Sequence, residues 1–234
     1  MSGGWFVTGT DTGVGKTLVS RLLLEALGQA GHSAVGMKPV ASGCHATDDG
    51  WRSDDARELI AASGVSADYD DVNPYALNSA CAPHIAAREM GIEIQQEHIL
   101  QSFRRLQQKS PWVVVEGVGG WRAPLGERLT MADVACAMRL PVILVVGLRL
   151  GCLNHALLTV EAIRLANVPL AGWVANQIDP AMTHVPENIA ALEQRIDAPL
   201  LAQFPFQPSA KPDVTASAIP MLMRFTSLMS GQTK

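Results

Sequence analysis

The chain has 234 residues, is 48% hydrophobic and 17% charged, and carries a formal net charge of −4. This length and apolar content favour one large α/β domain, which we expect to extend over residues 1–234. The acidic balance, without a lysine or arginine run, argues against nucleic acid and membranes as partners, and no apolar run is long enough to cross a bilayer. Four cysteines without a Cys-x-x-Cys pair, and no signal-peptide pattern, predict a cytoplasmic protein with reduced thiols.

The first predicted elements are a strand over residues 5–8 and a helix over residues 15–30, joined by a glycine-rich loop. Residues 9–17 read Gly-Thr-Asp-Thr-Gly-Val-Gly-Lys-Thr. In such a loop, backbone N–H groups and the positive end of the helix converge on an anion, and glycines let the backbone approach it. Lys16 adds positive charge for terminal phosphates, and the Thr17 hydroxyl can bind Mg²⁺. The segment therefore predicts a phosphate-binding loop.

Two other interpretations of this loop are weaker. A plain strand–turn–helix connection explains the glycines but not the Gly-Lys-Thr ending. A dinucleotide-binding fingerprint has its closely spaced glycines first, whereas the close pair here, Gly13 and Gly15, comes last. The spacing departs slightly from the usual phosphate-binding motif, because Thr10 stands where that motif has glycine and Gly9 lies one residue earlier.

The second predicted strand, residues 33–37, ends at Lys38. Ligands of parallel α/β sheets bind at the carboxyl edge, so Lys38 is a candidate site residue, although most lysines are simply solvated. Ser53 or Asp54 is predicted to cap the next helix. Asp55 either stabilises the N-terminus of that helix or reaches a metal ion on bound phosphates, and the sequence pattern leaves both interpretations open.

The rest of the chain alternates between strands and helices. This alternation predicts a parallel β-sheet with helices on both faces, in the three-layer architecture of P-loop NTPases. Residues 44–53 and 66–83 are expected to be loops. Further strands are predicted at residues 112–115, 141–146, 170–175 and 200–202, and helices at residues 84 onward, 97–108, 130–138, 156–166, 186–195 and 217–229.

Glu116 marks a second informative segment, Glu-Gly-Val-Gly-Gly at residues 116–120. It follows a valine run typical of a strand buried on both faces, and packing does not explain an acid there. In phosphate-loop enzymes, the acid at the end of a neighbouring strand holds Mg²⁺ directly or through water. Residues 150–155, a glycine-containing helix start, are a second possible anion site.

Together these segments resemble the dethiobiotin synthetase family over nearly the whole chain. The resemblance rests on residues 9–17, Lys-Pro-Val-Ala-Ser-Gly at 38–43, residues 116–120, Gly-Cys-Leu-Asn-His at 151–155 and Gly-Trp-Val-Ala-Asn at 172–176. It implies an ATP-dependent ligase of biotin biosynthesis that joins CO₂ to 7,8-diaminononanoate (7,8-diaminopelargonate). The implied path runs through a carbamate and a carbamic–phosphoric anhydride to dethiobiotin, ADP and phosphate.

The same resemblance implies roles for individual residues. Lys16 and Lys38 are the implied catalytic residues, with Mg²⁺ held by Thr17, Asp55 and Glu116. The implied ATP-binding residues are Gly13, Val14, Gly15, Lys16, Thr17, Leu18, Asp55, Glu116, Gly117, Val118, Gly119, Asn176, Gln177, Pro205, Phe206 and Gln207. The implied substrate-binding residues are Thr12 and Ser42 together with Gly151, Cys152, Leu153 and Asn154. The last four belong to a helix N-terminus that the partner subunit of a homodimer is expected to contribute.

Some positions depart from the family pattern. Gly13 stands where some members carry Glu, so no acidic contact is carried over to it. Gln177 stands where some members carry Asp, which leaves the second contact with the base open. One alternative is a regulatory or partitioning ATPase of the same fold, but its loop has lysine where this chain has Asp11. An amidoligase fused to a glutamine amidotransferase would need a further domain and a Cys–His signature. A binding module without catalysis would not need the residues retained here, Lys16, Thr17, Asp55 and Glu116.

Overall fold

A computed structural model describes residues 3–207. Its strands are β1 (Gly3–Gly9), β2 (Ala34–Met37), β3 (Val40–Ala41), β4 (His45–Thr47), β5 (Gly50–Arg52), β6 (Tyr75–Ala76), β7 (Trp112–Glu116), β8 (Val142–Leu148), β9 (Leu170–Gln177) and β10 (Leu200–Phe204). Its helices are α1 (Lys16–Gln29), α2 (Asp54–Ala62), α3 (Tyr69–Val72), α4 (Pro83–Glu89), α5 (Gln96–Lys109), α6 (Met131–Met138), α7 (Cys152–Leu165) and α8 (Val185–Glu193). Among these helices, none is long and apolar enough to cross a membrane.

The central sheet has six parallel strands in the order β10-β9-β8-β1-β7-β2. Successive side chains of a strand point to opposite faces, and each face here is covered by helices. Trp5 and Val7 pack with the apolar side of α1, whereas Phe6 packs with α5 and α6 on the other face. Helices α7 and α8 cover Trp173 and its neighbours. The predicted three-layer α/β fold is confirmed.

Strand register brings the informative segments to one edge of the sheet. β1 lies between β7 and β8, with Val7 opposite Glu116 and Gly9 opposite Val145. On the far side of β7, Met37 pairs with Val115. Because the strands are parallel, the phosphate-binding loop, Lys38 and Glu116 all follow carboxyl ends at the same edge.

Several local predictions differ from the structure. Residues 44–53, which were predicted to be a loop, contain the antiparallel pair β4–β5. The two strands are joined by a turn at Asp48 and Asp49, and most of their residues are exposed. Residues 66–83 contain α3 and the short strand β6, which pairs with β3. Both segments lack the alternating apolar pattern that would reveal a strand, because each of these strands is only two or three residues long.

One helix begins earlier than predicted. α7 begins at Cys152, four residues before the predicted start, because Gly151 adopts a left-handed conformation with φ of 92° and the helix follows at once. The predicted closing helix at residues 217–229 lies outside the described residues. The other predicted helices and strands agree with the structure to within a few residues.

Candidate functional site

The glycine-rich loop is closed by contacts that require glycine at position 15. Gly15 precedes α1 with φ of 94°, and a Cβ atom there would lie 2.4 Å from Asn176 Nδ2. That same nitrogen donates a hydrogen bond to the Val14 carbonyl oxygen at 2.9 Å. Lys16 Nζ donates to the carbonyl oxygen of Asp11 at 2.8 Å. The loop is therefore curled with the Lys16 ammonium held above it, as in a phosphate-binding loop.

Beside this loop, two carboxylates, a hydroxyl and an ammonium form a tight cluster. Thr17 Oγ1 lies 3.0 Å from Asp55 Oδ1 and 2.9 Å from Glu116 Oε1. Lys38 Nζ lies 2.7 Å from Asp55 Oδ2 and 2.5 Å from Glu116 Oε1. Three of these side chains belong to α1, α2 and β7, and Lys38 directly follows β2, so only the folded sheet edge brings them together.

Burial and charge shift the acid–base properties of this cluster. Burial, reinforced by the charge of Lys38, lowers the pKa of Lys16 to about 8. Burial also acts to lower the pKa of Lys38, but Glu116 and Asp55 outweigh it, and the pKa of Lys38 lies above its ordinary value. Burial acts to raise the pKa of Asp55, yet contact with the Lys38 ammonium brings that pKa below its usual range. Lys38 is therefore a fixed positive charge.

Glu116 is fully buried, and burial raises the pKa of its carboxyl while Lys38 acts in the opposite direction. One carboxylate oxygen of Glu116, Oε2, is buried without a hydrogen-bond partner within residues 3–207. A buried, unsatisfied carboxylate oxygen is costly unless a ligand completes it. With Thr17 Oγ1 and the carboxylate of Asp55 nearby, the donors are the hard oxygen atoms that Mg²⁺ prefers. The described residues therefore fit the implied magnesium set.

The protein alone supplies only a few ligands for a metal ion at this cluster. In the described part of the chain, no group of three or more His, Cys, Asp or Glu side chains is placed to hold one. Mg²⁺ usually binds through one or two carboxylates together with substrate phosphates and water. The set of Thr17, Asp55 and Glu116 suits a metal ion that arrives with a phosphate ligand.

Two cavities open on either side of the loop. The β9 cavity, of about 720 Å³, is bounded by α1, α2 and the ends of β9 and β10. The β7 cavity, of about 810 Å³, lies between the loop, Lys38 and the segment after β7. Gly13, Gly15, Thr17 and Asp55 line both. The phosphate-binding loop is thus the wall between two binding spaces.

The predicted site residues divide between these cavities. Those lining only the β9 cavity are Leu18, Asn176, Gln177, Pro205, Phe206 and Gln207. Those lining only the β7 cavity are Thr12, Lys16, Lys38, Ser42, Glu116, Val118 and Gly119. Val14 and Gly117 are buried and line neither cavity. The loop after β7 therefore faces the β7 cavity more than the space beside Asn176.

The remaining predicted substrate residues lie apart from both cavities. Gly151, Cys152, Leu153 and Asn154 form the start of α7 and line neither space in this chain. Next to them, the Leu150 side chain is 96% exposed. Within a single chain, these four residues are therefore not part of either cavity.

Sequence reasoning missed several contacts around the site. Arg149 forms an ion pair with Asp11, with Nη2 2.5 Å from Oδ2, and joins the loop to the segment before α7. Asn73 donates to the backbone carbonyl of Lys38 at 2.6 Å, and its side-chain oxygen accepts from Tyr69. The only sequence signal for Asn73 was an Asn-Pro-Tyr triplet, which is typical of turns in general.

Comparisons with known proteins identify the family of this chain. Residues 4–214 match the family model described as an AAA domain. The chain is 52% identical over 206 residues to the ATP-dependent dethiobiotin synthetase BioD of Xanthomonas axonopodis pv. citri, covering 88% of this chain and 92% of that protein. The chain belongs to the dethiobiotin synthetase family. Another member, BioD of Aromatoleum aromaticum, is 51% identical over 215 residues, with 92% of this chain and 96% of that protein covered.

Solved structures show how widely this fold is shared. The septum site-determining protein MinD of Pyrococcus horikoshii, complexed with Mg-ADP, matches with a TM-score of 0.58 and 17% identity over 98% of each chain. Cobyrinic acid a,c-diamide synthase of Mycobacterium smegmatis matches with a TM-score of 0.58 and 15% identity, covering 100% of this chain and 97% of that one. At these identities the likeness concerns the fold alone.

Proposed function

We propose that this protein catalyses the ATP-dependent joining of CO₂ to 7,8-diaminononanoate and closes the ring to give dethiobiotin, ADP and phosphate. The observation that carries the proposal is the position of Lys38, whose ammonium contacts Asp55 and Glu116 beside the phosphate-binding loop and lines the β7 cavity. Family membership supports the reaction, and the cluster supports its chemistry. A regulatory or partitioning ATPase of the same fold needs neither Lys38 nor the second cavity.

The chemistry has three steps. One amine of the diamine attacks CO₂ and loses a proton, giving a carbamate. A carbamate oxygen attacks the γ-phosphorus of ATP and ADP leaves, giving a carbamic–phosphoric anhydride. The second amine attacks the anhydride carbonyl, phosphate leaves with the C–O bonding electrons, and loss of the amine proton completes the ureido ring.

The cluster supplies positive charge that reduces the repulsion between the two anions of the second step. A carbamate and a triphosphate are both anions, so bringing them into contact requires fixed positive charge and oriented donors. Lys16 supplies charge at the loop and Lys38 supplies it on the side of the β7 cavity. When bound by Thr17, Asp55 and Glu116, Mg²⁺ supplies further neutralisation of the phosphate oxygens.

The β7 cavity suits a substrate with a polar head and an aliphatic chain. Its polar end holds Lys16, Lys38 and Ser42, and Ser42 Oγ is buried without a partner among the described residues. That hydroxyl is available to a carbamate or an amine. Thr12, Thr17, Asp55 and Glu116 are the other polar side chains of the lining, and its apolar part comprises Ala41, Ala80, Cys81, Ala82, Pro83, Val118, Ala123 and Pro124.

The direct test is release of ADP and formation of dethiobiotin with 7,8-diaminononanoate, bicarbonate and MgATP. We expect both products to form in equal amounts and neither to form without the diamine. A mono-amine of the same length is the matched control, because it lacks the second amine and cannot close the ring. ADP release that is independent of the diamine would contradict the proposal.

We propose in addition that the substrate carboxylate binds at residues 151–154 of a partner subunit in a homodimer. The segment lies away from the cavities of its own chain, and the adjacent Leu150 is 96% exposed. Consecutive N–H groups at the start of α7 suit a carboxylate. Mixing inactive Lys38→Ala subunits with inactive Asn154→Asp subunits should restore about a quarter of wild-type activity, because half of the dimers are mixed and each has one intact site. No recovery after confirmed subunit exchange would contradict shared sites.

Nucleotide affinity should fall above pH 8. The pKa of Lys16 in the free protein is about 8, so below that pH the ammonium is charged, and above it the amine becomes neutral. A bound triphosphate favours the charged form, so binding takes up a proton and weakens by up to about tenfold per pH unit above 8. Calorimetric titration with a non-hydrolysable Mg-ATP analogue at pH 7, 8 and 9 measures this. Lys16→Arg is the control, since arginine stays charged and should bind with little pH dependence.

Asn176 should favour adenine over guanine. It lines the β9 cavity and uses one N–H on Val14, which leaves the carbonyl and the second N–H for a base. We expect kcat/KM for ATP to exceed that for GTP by about tenfold or more. Asn176→Asp, which removes the donor, should narrow this ratio, whereas Gln177→Asn should leave it nearly unchanged. Equal use of both nucleotides by the wild-type protein would remove this role.

A further inference from the structure

Two consecutive residues hold both backbone polar groups of Lys38. The Lys38 N–H donates to the Val72 carbonyl at 2.8 Å, and Asn73 Nδ2 donates to the Lys38 carbonyl at 2.6 Å. Asn73 is 2% exposed, and the same nitrogen lies 3.4 Å from the Tyr75 carbonyl oxygen. Both donors of a buried amide are thus used to fix the backbone around one lysine and the turn that follows Asn73.

The contact continues to the helix that carries Asp55. The Tyr69 hydroxyl donates to Asn73 Oδ1 at 3.0 Å and accepts from the Ser53 N–H at 2.7 Å. Ser53 is the N-cap of α2, where its Oγ accepts from the Ala56 N–H at 3.3 Å. An unbroken path of hydrogen bonds therefore runs from the Lys38 carbonyl to the N-terminus of α2.

We propose that Tyr69 and Asn73 are positioning residues for the reaction, fixing the Lys38 ammonium relative to Asp55. The inference rests on the proposed function, since it assumes that Lys38 acts on the transferring phosphoryl group. Lysine has a flexible four-carbon stem, so a fixed backbone and fixed carboxylate partners are what hold its ammonium in one place. Misplacement of such a group by about 1 Å costs on the order of a hundredfold in rate.

The same segment has a second anchor that does not touch this path. Asp71, which is buried, pairs with Arg105 of α5, with Oδ1 2.5 Å from Nε. Arg105→Ala should loosen residues 69–76 from α5 while leaving Tyr69, Asn73 and Lys38 in contact. It is therefore a matched control for a merely structural role of the segment.

Tyr69→Phe is the sharpest test, because it removes the hydroxyl and keeps the ring on which the Arg52 guanidinium stacks at 4.1 Å. We expect kcat for dethiobiotin formation to fall about tenfold or more, with KM for ATP changed by less than about twofold. Asn73→Ser should likewise lower kcat while leaving KM for ATP nearly unchanged. Arg105→Ala should lower the melting temperature but leave kcat at 25 °C close to wild type.

Two results would overturn the inference: Tyr69→Phe and Asn73→Ser with wild-type kcat while folded, or an equal fall in kcat for these variants and for Arg105→Ala. The second result would make the segment a scaffold with no special link to Lys38. The wild-type protein is assayed in the same experiment. If the wild-type protein shows no diamine-dependent turnover, the proposed function itself is rejected, whereas a failure confined to the variants rejects only the positioning role.

Discussion

Lys38→Ala should lower kcat about 10³-fold or more while binding of a non-hydrolysable Mg-ATP analogue stays within about tenfold of wild type. Lys38 is 3% exposed and its ammonium contacts both carboxylates of the cluster, so alanine at this position removes a charge that is held in a fixed place. We expect the nucleotide to bind in the β9 cavity, whose lining does not include Lys38. Single-turnover ADP release and calorimetric binding measure the two quantities separately.

The control for this variant must address folding. Removing one partner of a buried ion pair typically costs about 3–5 kcal/mol, and here it leaves Asp55 and Glu116 without their ammonium. Lys38→Arg keeps the charge and should retain a melting temperature near wild type, yet its planar guanidinium cannot occupy the same position. We expect Lys38→Arg to fold and to remain slow. Turnover within tenfold of wild type in folded Lys38→Ala would remove Lys38 from the reaction.

The sequence correctly predicted that the phosphate-binding loop, Lys38 and Glu116 lie at one edge of the sheet. Two patterns mark a strand whose carboxyl end carries a candidate site residue: Gly-Lys-Thr after an apolar strand, and Glu116 after a valine run. In a parallel sheet, the carboxyl ends of neighbouring strands lie at the same edge. Lys38 was predicted at that edge for the same reason. These predictions depend only on local pattern and on the direction of parallel strands, which is why they did not need the structure.

The sequence did not predict the contacts between the side chains of the cluster. The bridge from Lys38 to both Asp55 and Glu116 joins residues that lie 17 and 78 positions away in the chain. The path through Tyr69 and Asn73 depends on the short elements α3 and β6, in a segment whose turn residues predicted only a loop. Short pairings and side-chain-to-backbone bonds are decided by tertiary packing, so local propensity does not reveal them.

The shared fold makes these specific contacts more informative than the architecture. MinD, a septum site-determining protein, and cobyrinic acid a,c-diamide synthase have the same fold at 17% and 15% identity. Function must therefore be argued from the site. Asp11, which pairs with Arg149, and Lys38, which pairs with Asp55 and Glu116, are the features of this chain that a switch ATPase does not require.

Glu116→Gln should raise the Mg²⁺ concentration needed for half-maximal activity by about tenfold to a hundredfold. The substitution keeps the volume of a fully buried side chain but removes a charge from the proposed metal set, and it replaces one carboxylate oxygen by a group that cannot ligate a hard cation. It also leaves Lys38 with a single carboxylate partner. Titrations of the initial rate with Mg²⁺ at saturating ATP measure the change, and high Mg²⁺ should recover part of the lost rate.

The matched control for this prediction is Asp54→Asn, which removes one negative charge from the first turn of α2, next to Asp55. Asp54 is 69% exposed in its side chain and pairs with His45, away from the cluster. If Glu116 binds the metal ion, Asp54→Asn should leave the Mg²⁺ titration unchanged and only Glu116→Gln should shift it. If the two variants shift it equally, the effect is one of net charge on the nucleotide complex, and Glu116 would be a structural partner of Lys38 whose unpaired oxygen has no metal to bind.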